Sequence, residues 1–186
     1  MATLRNTQLN KEPEGRTVAY LVFQLSGSYY AVSVSDVREI ITSIEISAVP
    51  GSPKYLAGVA NLRGRVLPII DLKRKFSFDS QSTNTRECFI VLTTPSEEGP
   101  LEFAIRVDNV HEVIKIFEEQ VDLAPAMTSF ANQLVFDGVA HTPHGVRMIL
   151  DTKSLVSQLQ QDIRSIQNSG TAQSNCPDGS EFGPEA

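Results

Sequence analysis

The sequence predicts a mainly β protein, two copies of one small barrel-like unit packed together, with short helices and one longer helix near the C-terminus. Three observations carry this. Short apolar runs rich in Val, Ile, Phe and Tyr alternate with turn signals. The two halves of the chain repeat each other. Only one segment sustains a helical stripe over several turns.

In chain order, strands are expected at Val18–Leu25 and Tyr29–Ser33, joined by Ser26-Gly27-Ser28. Val34–Ile41 comes next, with apolar residues at 3/4 spacing (Val34, Val37, Ile40, Ile41) and Ser33 three residues before Asp36. That pattern predicts a short capped helix with Glu39 off its apolar face. Strands then follow at Gly58–Leu62 and Arg65–Ile70 around the Arg63-Gly64 turn, and at Glu87–Thr93 and Leu101–Val107 around Ser96–Pro100. The last pair is Leu134–Ala140 and Gly145–Leu150. Residues 151–167 carry Leu155, Leu159, Ile163 and Ile166 on one stripe with Asp151 or Thr152 as cap, and form the long helix. Connections this short suit antiparallel hairpins.

Residues 58–73 align without gaps on 138–153, with seven of sixteen identical: Gly58/Gly138, Val59/Val139, Ala60/Ala140, Val66/Val146, Ile69/Ile149, Asp71/Asp151 and Lys73/Lys153. Residues 30–41 align likewise on 103–114, pairing Val34/Val107, Val37/Val110 and Glu39/Glu112. The expected organisation is one domain over 18–155, with barrel 1 over about 18–76 and barrel 2 over about 86–155. Each is near the lower size limit for an independent core, so the two should stabilise each other. The polar 1–17 and the Gly/Pro/Ser-rich 168–186 are expected to be flexible. Part of that tail, Gly179-Ser180-Glu181-Phe182, reads like translated cloning-site sequence and is set aside.

A net charge of −6 opposes binding to nucleic acid or anionic lipid. Cys88 and Cys176 lie far apart and no apolar run approaches a membrane span, so a cytoplasmic protein with no disulfide and no membrane insertion is expected. Catalytic and metal chemistry find no support. Asp71 and Asp151 hold equivalent repeat positions and read as helix caps, not as an acid/base pair. His141-x-x-His144 lacks further ligands, Cys88 opens an apolar strand away from any histidine, and no phosphate loop or nucleophile elbow is present. No cofactor is implied. A basic excess at Arg63, Arg65, Lys73, Arg74 and Lys75 leaves one alternative, a small barrel binding nucleic acid, though only Phe76 and Phe78 would supply stacking. The repeats differ most where Asn61-Leu62-Arg63-Gly64 is replaced by His141-Thr142-Pro143-His144, which gives the first tip a job of its own.

From Ala19 to Leu155 the chain resembles the CheW family of chemotaxis coupling proteins. The resemblance rests on Tyr20-Leu21-Val22-Phe23-x-Leu25, on Tyr30-Ala31-Val32 with Val37-Arg38-Glu39-Ile40-Ile41, and above all on the run from Pro50 through Tyr55-Leu56-x-Gly58-Val59-x-Asn61-Leu62-Arg63-Gly64 to Asp71-Leu72. Phe103-Ala104-Ile105-x-Val107-Asp108 and Met148-Ile149-Leu150-Asp151 extend it. It implies two SH3-like five-stranded barrels and a non-catalytic adaptor. The implied partners are the cytoplasmic tip of chemoreceptors, held in a groove, and the regulatory domain of a CheA-type histidine kinase. By motif, Glu39 and Arg63 resemble a charged pair beside that groove and Val37 a receptor contact; Ile40, Gly58, Asn61, Leu62, Gly64, Val107 and Val110 complete the implied binding set. Two departures stand out: Asn109 where glycine is common, and a longer, more acidic Thr94–Pro100 loop.

Overall fold

A computed structural model describes residues 15–78, 87–96, 99–123, 135–143 and 145–170. The first half folds as β1 (Thr17–Leu25), β2 (Ser28–Ser33), a 3-10 turn at Val34–Asp36, β3 (Val37–Ile41), β4 (Leu56–Leu62), β5 (Arg65–Asp71) and α1 (Leu72–Lys75). The second half supplies β6 (Cys88–Thr94), β7 (Leu101–Val107), β8 (Asn109–Phe117), β9 (Val121–Leu123), β10 (Phe136–Thr142), β11 (Gly145–Leu150) and α2 (Thr152–Gly170). By the internal alignment β3 corresponds to β8, β4 to β10, β5 to β11 and α1 to α2.

The two sheets do not follow the two halves. One sheet runs β8-β1-β2-β11-β10-β9 and the other β3-β6-β7-β5-β4. Each keeps its own half's first two strands and takes the rest from the other half, so the expected sequential units, 18–76 and 86–155, do not each close a barrel. The exchange is reciprocal and in register. The parallel pairing that joins the halves sets Ile149 opposite Ala31 in one sheet and Ile69 opposite Ala104 in the other, the same repeat positions in both. Hairpin logic predicts only antiparallel pairs; these two parallel ladders arise because the joined strands come from different halves.

Each sheet curls over a small core of its own. Ala31, Ile116, Ala140 and Ile149 fill the first, and Ala60, Leu67, Ile69, Phe89, Val91 and Ala104 the second. The largest core lies between them, built from Phe23, Val32, Ile70, Ile90, Phe103 and Ile105 and covered by Leu155, Val156 and Leu159 of α2.

The helix expected at Val34–Ile41 is instead the 3-10 turn and edge strand β3. The Ser33 hydroxyl pairs with Ser35 instead of capping, and Val34 is 36% exposed. β-branched residues favour the ladder that β6 offers, and the apolar side chains serve two faces: Val37 packs on the central core and Ile41 on that of the second sheet. Strands β8 and β9 were not foreseen. Of the segments expected to be flexible, residues 1–14 and 171–186 lie outside the described residues, Thr17 already opens β1, and α2 continues to Gly170.

The carboxylates at Asp71 and Asp151 cap helices as expected. Asp71 accepts from the Arg74 N–H at 3.1 Å, and Asp151 from the Lys153 and Ser154 N–H groups at 2.9 and 3.1 Å. The matched glycines also have a reason. A Cβ on Gly58 would lie 2.3 Å from the Ser47 carbonyl oxygen, and one on Gly138 would lie 2.5 Å from that of Asp122. In both halves a neighbouring segment presses on the strand at that point, around Ser47 against β4 and β9 against β10.

Candidate functional site

At the tip of β4–β5, Arg63 and Gly64 both take positive φ (53° and 85°), the geometry of a tight hairpin whose twist matches the strands. A non-glycine residue there costs on the order of 1 kcal/mol. Asn61 supports it by accepting the Gly64 N–H on Oδ1 at 2.8 Å. The turn carries Arg63 across to β3, where Nη2 donates to Glu39 Oε2 at 2.9 Å. Because β3 and β4 are opposite edges of the sheet, this ion pair bridges the gap by which the curled sheet would close. Beside it, Arg65 Nη1 donates to both carboxylate oxygens of Glu102, at 2.7 and 2.8 Å. With Arg38 these four charges rim a depression of about 290 Å³ floored by Leu62 and Val91.

Of the residues named from sequence, Glu39, Leu62 and Arg63 line this depression, and Asn61 and Gly64 build the turn that presents them. Ile40 stands 44% exposed on β3, and Gly58 serves the packing against Ser47. Val37 and its repeat counterpart Val110 are half-buried against the central core. Val107 is only 1% exposed and belongs to that core, so it presents no surface to a partner. Sequence reasoning missed Arg38, Arg65, Val91 and Glu102. The one available signal was the basic excess, read as a solvated or nucleic-acid face.

That excess is in fact spent internally. Arg63 and Arg65 pair with Glu39 and Glu102, Lys73 with Asp108, and Arg74 with Asp71. Lys75 is buried with its ammonium over the Tyr55 ring, while Phe76 and Phe78 pack into the central core. Every cation of this described basic stretch thus has a partner, and the nucleic-acid alternative has no support.

The first sheet opens on a corresponding depression lined by Val22, Glu112, Ile114, Pro143 and Arg147. Glu112 is the counterpart of Glu39, but Pro143 stands where Arg63 does, so that position supplies no cation to meet it. Arg147 instead lies 4.7 Å over the Tyr29 ring, and His111 meets that ring edge-on at 4.8 Å. His141 pairs with Asp122 at 2.9 Å, and His144 lies outside the described residues. The asymmetry expected between the two tips is thus a difference between an arginine that reaches a glutamate across the sheet edges and a proline that cannot.

The family model for the CheW-like domain matches residues 19–160, both sheets but for the first two residues of β1, and about the first half of α2. The chain belongs to the CheW-like family. It is 29% identical over 145 residues to a chemotaxis protein CheW of Klebsiella aerogenes, covering 77% of this chain and 85% of that one. Against the chemotaxis protein CheW of Bacillus subtilis the identity is 27% over 139 residues, covering 74% and 86%. The crystal structure of the scaffolding protein TtCheW from Thermoanaerobacter tengcongensis superposes with a TM-score of 0.64 at 28% identity, covering 73% of this chain and 89% of that one. This CheW-like protein is an adaptor of bacterial chemosensory signalling that couples chemoreceptors to a CheA-type histidine kinase. Among its described residues no helix is long and apolar enough to cross a membrane.

Proposed function

We propose that the β3 edge and the β4–β5 tip form the partner-docking surface of this adaptor. A chemoreceptor tip lies along Val37 and Ile40, and Glu39 and Arg63 fix its register. The kinase regulatory domain meets the barrel edges, and the protein works in the cytoplasm, recruited to receptor arrays through its partners and without chemistry of its own. The Glu39–Arg63 bridge carries this reading. Its side chains are 30% and 79% exposed, so as a structural feature it adds only about 0–1 kcal/mol. Yet the tight turn imposes positive φ at this position, and an arginine stands there in place of the glycine or asparagine that would adopt it more cheaply, a cost that so weak a pair does not offset. Ile40, 44% exposed beside it, supplies the apolar anchor that helix recognition in a groove requires.

Charge reversal tests this. Arg63→Glu is expected to leave the melting temperature nearly unchanged and abolish receptor or kinase coupling, because repulsion is added to lost attraction. The swap Glu39→Arg with Arg63→Glu restores the internal pair while inverting the surface pattern. Continued failure of the folded swap in a coupling assay supports docking, and full recovery would show that the pair only positions the strands.

A further inference from the structure

Helix α2 reaches both edges of the second sheet through polar contacts. Tyr55, immediately before β4, donates its hydroxyl hydrogen to the Asp162 carboxylate on α2. Lys75, the last residue of α1 and only 6% exposed, holds Nζ 4.0 Å from the centre of the Tyr55 ring. The Tyr55 carbonyl accepts the Asp71 N–H at 2.8 Å, so both backbone and side chain of this residue are fixed. Near the start of α2, Thr152 Oγ1 donates to Asp36 Oδ2 at 2.8 Å, and Asp36 is the last residue before β3. One helix therefore grips a residue adjoining β3 and a residue adjoining β4.

Those strands are the opposite edges that Glu39 and Arg63 span. An exposed, salt-screened ion pair is too weak to set the spacing of two edges by itself. Charge-assisted hydrogen bonds in a partly buried setting are stronger, and a tyrosine side chain is stiff enough to transmit position. Burial, then the hydrogen bond and charge of Asp162, push the Tyr55 hydroxyl far above its ordinary value, so its donor proton stays in place at any physiological pH.

We propose that Tyr55, Lys75 and Asp162 form a latch by which helix α2, tethered also through Thr152 and Asp36, sets the distance between the two strands that present Glu39 and Arg63. They are positioning residues for partner docking, and the proposal rests on the docking surface described above.

The test uses the full chain, titrated with a receptor-tip fragment and with a CheA-type regulatory domain while melting temperature is followed. Tyr55→Phe is expected to weaken binding about three- to tenfold, the loss of one such hydrogen bond. In an Arg63→Ala background the same change is expected to cost less than about twofold, because the element being positioned is gone. Asp162→Asn, which keeps an acceptor, should bind within about twofold of the natural protein, and Asp162→Ala should match Tyr55→Phe. Equal losses in both backgrounds would overturn the latch and leave the docking surface standing. An Arg63→Ala variant that binds normally would remove the docking surface and the latch together. A lower melting temperature with unchanged binding would reduce the three residues to a structural role.

Discussion

A methyl group on Gly58 would sit 2.3 Å from a backbone oxygen, at a φ of +147° that side chains rarely adopt. Gly58→Ala is therefore expected to cost more than about 1 kcal/mol, and more than Gly138→Ala, where only the close approach applies. Urea unfolding of the two variants side by side measures the difference. The tyrosines give a second expectation. Burial raises Tyr20, Tyr30 and Tyr55 above the ordinary 10.0, with Asp162 adding to the effect at Tyr55. A folded value above the unfolded one means stability that is fully present below pH 10.0 and lost as pH rises beyond it. Lys75 acts in the opposite sense. Its value is lowered by burial, so stability gains as pH rises toward 10.5. Alkaline unfolding should thus set in only beyond that range, coincide with phenolate absorbance, and be shallower in Tyr55→Phe.

At the level of the element, α2 is worth more than its propensity. Leu155, Val156 and Leu159 close the central core, so Leu155→Ala is expected to destabilise by about 2–5 kcal/mol. Asp151→Ala, which removes the cap, should cost about 0.5–2 kcal/mol. Guanidinium titrations of both would show the order. This helix was legible from its stripe, as were eight strands from β-branched runs and turns. Strand β3 was not, because Val37 and Ile41 face different cores and so mimic helical spacing. The site was legible only by resemblance. Periodicity says nothing of Glu39 and Arg63 meeting, since their contact depends on the sheet curling until its edges approach, and Arg65 and Glu102 were hidden because their strands, β5 and β7, are neighbours only through the pairing between the two halves.

For the whole molecule, the reciprocal exchange of strands decides stability. Self-similarity reveals that there are two copies, but not which copy a strand pairs with, since equivalent strands satisfy either partner. With the exchange, neither half holds a complete sheet. Fragments 1–80 and 81–186, prepared separately, are expected to lack cooperative unfolding, and mixing them should restore the β-sheet circular dichroism of the intact chain in a concentration-dependent way. Independent folding of either fragment would contradict the exchanged topology.

The same exchange constrains how the protein is born. The first half to leave the ribosome carries β3, β4 and β5 without β6 and β7, and β1 and β2 without β8, β10 and β11. At about 5–20 residues per second, those strands wait for seconds with apolar faces uncovered. Native structure can complete only once α2 has emerged, which makes a chain with two similar halves a post-translational folder in a single step and exposes its N-terminal half to chaperones during synthesis.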